Sequence, residues 1–212
     1  LETARSAAPS VKSRRVRSAL IGGAAALAIG LALVARSLRP THAMPVYGHL
    51  PAFQLVDERG APFAPESMLG HVNVVDFIFT RCTSSCPRLT SRMTEVQSRL
   101  ALRAPDVHFV SFSVDPENDT PSVLAAYADK AHADPARWRF VTGPLDAIER
   151  AVVLGFKVAA AKIAKGADDY EVTHGEWFVL VDRSGDIRGY YPIDEPSDVD
   201  ALVGDVMRLD KR

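Results

Sequence analysis

Val72-Asn73-Val74-Val75-Asp76-Phe77-Ile78-Phe79-Thr80-Arg81-Cys82-Thr83-Ser84-Ser85-Cys86-Pro87 is the stretch on which the reading of this chain turns. Its first half is apolar, β-branched and aromatic, and reads as a central strand buried on both faces. Beyond it Leu89, Met93, Val96 and Leu100 recur at helical spacing, with Arg and Ser between them. Pro87 suits the first turn of such a helix, where a missing N–H costs nothing. Cys82 and Cys86 are the only cysteines in 212 residues, and they stand where strand gives way to helix. The partial positive charge of a helix start favours thiolate over thiol. A helical turn there would also face residues i and i+4 the same way. Two activated sulfurs so placed can exchange with disulfides or hold a soft metal. Their spacing closes too short a loop for an effective structural staple, so the pair reads as functional.

The formal charge of −1 conceals two parts of opposite sign. Residues 1–40 carry seven Lys/Arg and one acid, or +6, whereas residues 41–212 carry eighteen and twenty-five, or −7. A mildly acidic main domain speaks against nucleic acid as a partner. The length fits one domain and a tail. Lys12, Arg14, Arg15 and Arg17 precede an uncharged run from Ser18 to Ala35, which Arg36 and Arg39 close. At about 1.5 Å per residue this run just spans a bilayer core of roughly 30 Å. It reads as an uncleaved anchor, with a signal peptide cut after Thr41-His42-Ala43 as the alternative. The positive-inside rule then puts residues 1–17 in the cytoplasm and the domain outside it, which we read as a single-pass inner-membrane protein with its domain in the periplasm. Residues 36–49 read as a tether and 50–212 as the domain. His42, Met44 and His49 read as linker residues, with transient ligands for a soft metal as the alternative.

The remaining chain alternates strands and helices. Leu50–Asp57 and Glu58-Arg59-Gly60 predict a strand and a turn, returned as a hairpin by Phe63–Leu69. Val107–Val114 predicts a second buried strand, ending at the turn-rich Asp115-Pro116-Glu117-Asn118-Asp119-Thr120-Pro121. A helix over 122–132, a strand over 138–142, a helix from Pro144 through Leu154 and a polar loop over 162–169 follow. Trp177–Asp182 and Ile187–Tyr191 flank Arg183-Ser184-Gly185-Asp186 as a hairpin. Pro196–Leu209 closes the chain as an amphipathic helix. This order indicates an α/β protein with a mixed sheet flanked by helices. Its strand–cysteine–helix unit points to a thioredoxin-like fold.

Three motifs narrow the reading. Phe-x-Phe-Thr-x-Cys-x-x-x-Cys-Pro at 77–87, Ser-Val-Asp-Pro-x-x-Asp-Thr-Pro at 113–121 and a His shortly before the final hairpin resemble the Sco/SenC family over residues 46–210. Members of that family are membrane-anchored copper-binding proteins of mitochondria and bacteria. They assist assembly of the binuclear copper centre of cytochrome c oxidase. The resemblance implies Cys82, Cys86 and His174 as metal ligands and copper, as Cu(I) or Cu(II), as the bound ion. It implies the copper-receiving oxidase subunit and a periplasmic copper donor as partners, and a metallochaperone rather than an enzyme. The chemistry agrees, since soft thiolates select Cu(I) and imidazole suits both copper states. A three-ligand zinc site would more often be catalytic, and no substrate chemistry is visible beside it.

The chain departs from the family at Thr173 and Gly175, where an Asp and a Ser usually flank the His. The group that would orient the imidazole is therefore unassigned. Asp76, six residues before Cys82, resembles the buried Asp with which thioredoxins assist proton transfer to their thiols. The alternative is a partly exposed carboxylate at the sheet edge, and burial would raise its pKa. A thiol–disulfide oxidoreductase that reduces the cysteines of the copper-receiving subunit therefore stays open, as does a redox or copper sensor. Against thioredoxin-type turnover stand the three-residue gap between the cysteines and the lack of a proline just before Trp177. Asp115 and Asp119 read as turn formers beside Pro116 and Pro121, with electrostatic orientation of the site as the alternative. His108 reads as a strand residue and His132 as a helix-end residue.

Overall fold

The computed structural model describes residues 44–83, 85–158, 160–161, 173–174 and 176–211, with 160, 161, 173 and 174 described by backbone alone. In chain order the strands and helices are β1 (Gly48–His49), β2 (Leu55–Asp57), β3 (Pro62–Phe63), β4 (Asn73–Ile78), α1 (Cys86–Leu100), β5 (His108–Ser113), α2 (Pro121–Lys130), β6 (Trp138–Thr142), α3 (Leu145–Glu149), β7 (Ala160–Ala161), β8 (Thr173–His174), β9 (Trp177–Val181), β10 (Asp186–Pro192) and α4 (Pro196–Asp210).

Eight strands form one sheet in the order β1-β10-β9-β4-β5-β6-β2-β3, and β7 pairs with β8 apart from it. β4, β5 and β6 run parallel, with antiparallel strands on either side. Parallel neighbours need a long crossover, and α1 and α2 supply the two required here. Every residue of β4 is buried, as an apolar run in a covered sheet requires. On α1 the stripe Leu89, Met93, Val96 and Leu100 is buried, and α1 packs on α4 through helical faces of this kind. Cutting one such side chain back to Ala costs about 2–5 kcal/mol. Prolines mark the first turns of α1, α2 and α4. The final hairpin turns where expected: Gly185 takes φ +84, and Asp182 Oδ1 accepts from Ser184 N at 2.9 Å and Asp186 N at 3.1 Å.

Some boundaries fall elsewhere than the sequence predicts. The folded unit begins at Met44. Tyr47 N donates to Ile187 O at 2.9 Å, and Gly48 and His49 pair with Ile187 and Asp186, so the end of the expected tether is an edge strand. The return over Phe63–Leu69 is limited to Pro62–Phe63, because a single helical turn starts at Pro65, which has no N–H for a ladder. The helix from Pro144 leaves α geometry at Arg150 and continues as a π-helical turn to Gly155. There Phe156 N donates to Ala151 O at 2.9 Å, and Phe156 enters the core against Phe77 and Phe112 with ring centroids 5.4 and 5.2 Å away. Gly155 permits the close approach of Pro51, whose ring would lie 2.1 Å from any Cβ at 155. The anchor expected over 18–35 and the loop over 162–169 lie outside the described residues. Among the described residues no helix is long and apolar enough to cross a membrane.

Candidate metal centre

β4 ends at Ile78 and α1 begins at Cys86, and the cysteines belong to the loop between them and the first helical residue. Cys82 does not share a helical turn with Cys86. It follows a tight turn in which its N–H reaches Phe79 O at 3.2 Å. The two residues meet differently: the Cys86 amide donates to Cys82 Sγ at 3.3 Å, and the Ser85 hydroxyl lies 3.7 Å from the same sulfur. No disulfide links them. Cys86 is 0% exposed and Cys82 9%. Burial pushes the Cys86 thiol well up, against the opposing pull of a backbone hydrogen bond at Phe79. The expected helix-activated thiolate therefore fails at Cys86, where desolvation outweighs the helix start. The helix amide is spent on the sulfur of Cys82 instead.

The loop after β5 braces this segment. Asp119 is fully buried and accepts from Thr80 N at 3.1 Å, Thr80 Oγ1 at 2.5 Å and Ser113 Oγ at 2.6 Å. Asp115, also fully buried, accepts from Arg81 Nη2 at 3.0 Å and Asn118 Nδ2 at 2.9 Å. Reading these acids as turn formers is thus only half right. The backbone turn is there, with Asp119 N donating to Asp115 O at 2.9 Å, but both side chains hold the two residues that precede Cys82.

Asp76 is fully buried and not at a sheet edge. Neither carboxyl oxygen makes a hydrogen bond of normal geometry among the described residues. Burial pushes its pKa up to about 7, against a smaller downward pull from Ser111, its register partner on β5. Ser111 Oγ accepts from Trp138 Nε1 at 2.9 Å, which leaves the serine's own proton to donate. The charge of Asp76 adds slightly to the upward push on Cys86. Tyr127 Oη is 2.7 Å from Thr90 Oγ1 and is pushed up to about 12, chiefly by burial. Burial thus shifts both groups toward their protonated forms, Tyr127 fully and Asp76 in part at neutral pH.

His174 stands in β8 with its backbone paired to Ala160, and its side chain lies outside the described residues. Among the described residues no three His, Cys, Asp or Glu are grouped as a metal site. β9 pairs antiparallel with β4, Val179 against Val75 and Leu180 against Val74. The start of β9, three residues beyond His174, therefore comes to the end of β4 from which the cysteine loop leaves. At that corner Arg88, two residues after Cys86, forms ion pairs with Glu176 and with Asp194, the latter at 3.2 Å.

Residues 45–209 match the family model SCO1/SenC. The chain belongs to the SCO1/SenC family. It is 36% identical over 155 residues to the SCO1 protein homolog of Bacillus subtilis, covering 73% of this chain and 79% of that one. The SCO1/SenC family lipoprotein of Bacillus anthracis is similar with a TM-score of 0.70 and 33% identity, over 78% of this chain and 96% of that one. BsSco, a member of the Sco family of cytochrome c oxidase assembly proteins with a disulfide switch, is similar with a TM-score of 0.68 and 33% identity, over 78% and 95%. Copper-bound ScoI of Bradyrhizobium japonicum is similar with a TM-score of 0.65 and 25% identity, over 76% and 99%.

In this SCO1/SenC chain the other described histidines stand apart from the sulfurs. His108 opens β5 at the far end of the sheet and stacks on His71, ring centroids 3.8 Å apart. Burial, then the His71, Arg139 and Arg137 charges, push it down to about 4. His132 follows α2 with φ 52, and its carbonyl accepts from Gln97 Nε2 at 3.2 Å. His49 pairs with Asp186 at 2.5 Å, and Met44 packs into the core, so both belong to the domain and not to a linker. His42 lies outside the described residues. Sequence reasoning missed Arg88, Glu176 and Asp194. No local pattern could have joined residues 88 positions and more apart.

Proposed function

We propose that this chain is a membrane-held copper metallochaperone that binds copper through Cys82, Cys86 and His174 and passes it to the copper-receiving subunit of cytochrome c oxidase. The observation that carries the reading is the buried cysteine pair where β4 gives way to α1, with Glu176, two positions beyond residue 174, ion-paired to Arg88 in the first turn of that helix. The copper-bound Bradyrhizobium relative and the oxidase-assembly role of the BsSco family support it. The donor set fits: two thiolates suit Cu(I), and an added imidazole accommodates either state. Three ligands leave room for a donor from a docked partner, so the ion passes by ligand exchange without release into water. Each thiol must lose its proton on loading, so copper uptake releases protons and strengthens as pH rises. In this proposal residues 18–35 anchor the chain, 1–17 face the cytoplasm, and the domain takes copper from a periplasmic donor.

The buried Asp76 beside a high-pKa Cys86 favours a second reading, a thiol–disulfide oxidoreductase that keeps the recipient's cysteines reduced. Deleting the gene separates the two. Copper delivery predicts an oxidase deficiency that excess copper rescues. Rescue by a thiol reductant but not by copper would replace delivery with reduction.

A further inference from the structure

We infer that Arg88 is a positioning residue that sets the approach of His174 to the two cysteines, its guanidinium strapping the chain beside β8 to the first turn of α1 through Glu176 and Asp194. The inference rests on the proposed role of His174 as a ligand. Arg88 lies two residues from Cys86, about 3 Å of rise along the helix and on its exposed side, whereas Cys86 faces the core. Glu176 lies two residues from His174, at most about 7 Å of extended chain. The strap is therefore anchored two residues from each of two proposed ligands that are 88 positions apart in sequence. Glu176 is the sheltered partner, its side chain 20% exposed, while Asp194 is 63% exposed and comes from the turn between β10 and α4. One planar guanidinium can serve both carboxylates where a lysine would be a single point charge. On its other flank β8 is held by the ladder to β7. A residue held from both sides needs less ordering when a metal arrives, so less binding energy is lost.

The test uses the full chain purified in detergent, with Cu(II) and Cu(I) ions as probes. Arg88→Ala and Glu176→Gln should each weaken Cu(II) binding about 3- to 5-fold, as loss of an ion pair of this exposure implies. Thiol-dominated Cu(I) affinity should stay at the wild-type value. In the metal-free protein, amide hydrogen exchange over residues 173–177 should quicken by a similar factor. The charge-exchanged double variant Arg88→Glu/Glu176→Arg should recover part of both losses. Arg88→Ala matching wild type in Cu(II) affinity and in exchange, while His174→Ala loses the Cu(II) signature, would overturn the strap and leave the ligand set standing. An unchanged Cu(II) signature in His174→Ala would instead remove the ligand assignment, and the strap's role at a metal with it.

Discussion

At Cys86 the start of α1 and the surrounding core act in opposite directions on one sulfur. Burial prevails and holds that residue as a thiol, while its amide serves the sulfur of Cys82. The pair is thus asymmetric, with the outer sulfur the first to meet a partner, a metal or an alkylating agent. Burial withholds both the thiolate and the access that alkylation needs at Cys86, so iodoacetamide at pH 8 should label Cys82 well before Cys86. Peptide mass spectrometry after brief exposure checks this. Equal labelling, or Cys86 first, would show that the helix start outweighs the core after all.

The loop from Ser113 to Pro121 is the element that gives the cysteine segment its shape. It lies next to that segment because β5 is the parallel neighbour of β4, with Ser113 in register with Ile78. Asp119→Ala would strand the Thr80 and Ser113 hydroxyls and the Thr80 amide. At about 1 kcal/mol or more for each deprived group, the expected loss is roughly 2–4 kcal/mol. A urea unfolding midpoint measures it, and a loss below about 0.5 kcal/mol would show the clamp to be idle. The central strands, the closing hairpin and the long helices were legible because apolar runs, prolines and a Gly-containing turn act over a few residues, whereas the edge strand β1 and the β7–β8 pair were not. The cysteine pair was legible for the same reason. The clamp was not, since Asp115 and Asp119 look like any turn acids until β5 is laid beside β4. The Arg88 strap was not, since its partners lie on the far side of two crossovers. The thiolate expectation failed because helix starts are visible in sequence and depth of burial is not.

A fully buried group on β4 and a half-buried one at the start of its neighbour β5 bend the pH dependence of the whole molecule in opposite senses. Asp76 has its pKa raised from 3.8 to about 7, so between those values the folded state holds the extra proton, and stability falls as pH rises. His108 has its pKa lowered from 6.5 to about 4, so there the unfolded state holds the extra proton, and stability rises with pH. Between about pH 4 and 6.5 the two offset each other. Asp76→Asn should therefore uncover a gain in stability on going from pH 4.5 to 6.5, roughly 1–2 kcal/mol after allowance for the partial exposure of His108. His108→Thr should uncover a loss of roughly 2–3 kcal/mol over the same interval. Denaturant midpoints at the two pH values check both, and parallel profiles for wild type and both variants would contradict the assignments.

The cysteine pair at one end of this sheet, the strand bearing His174 and the Arg88 link between them converge on a single claim: three side chains from two distant parts of the chain hold one ion. X-ray absorption at the copper edge, on the full chain loaded with one equivalent of copper, tests it most directly. Two sulfur scatterers and one imidazole, with the imidazole absent in His174→Ala, is the result expected. A sulfur-only shell that His174→Ala leaves unchanged would contradict it.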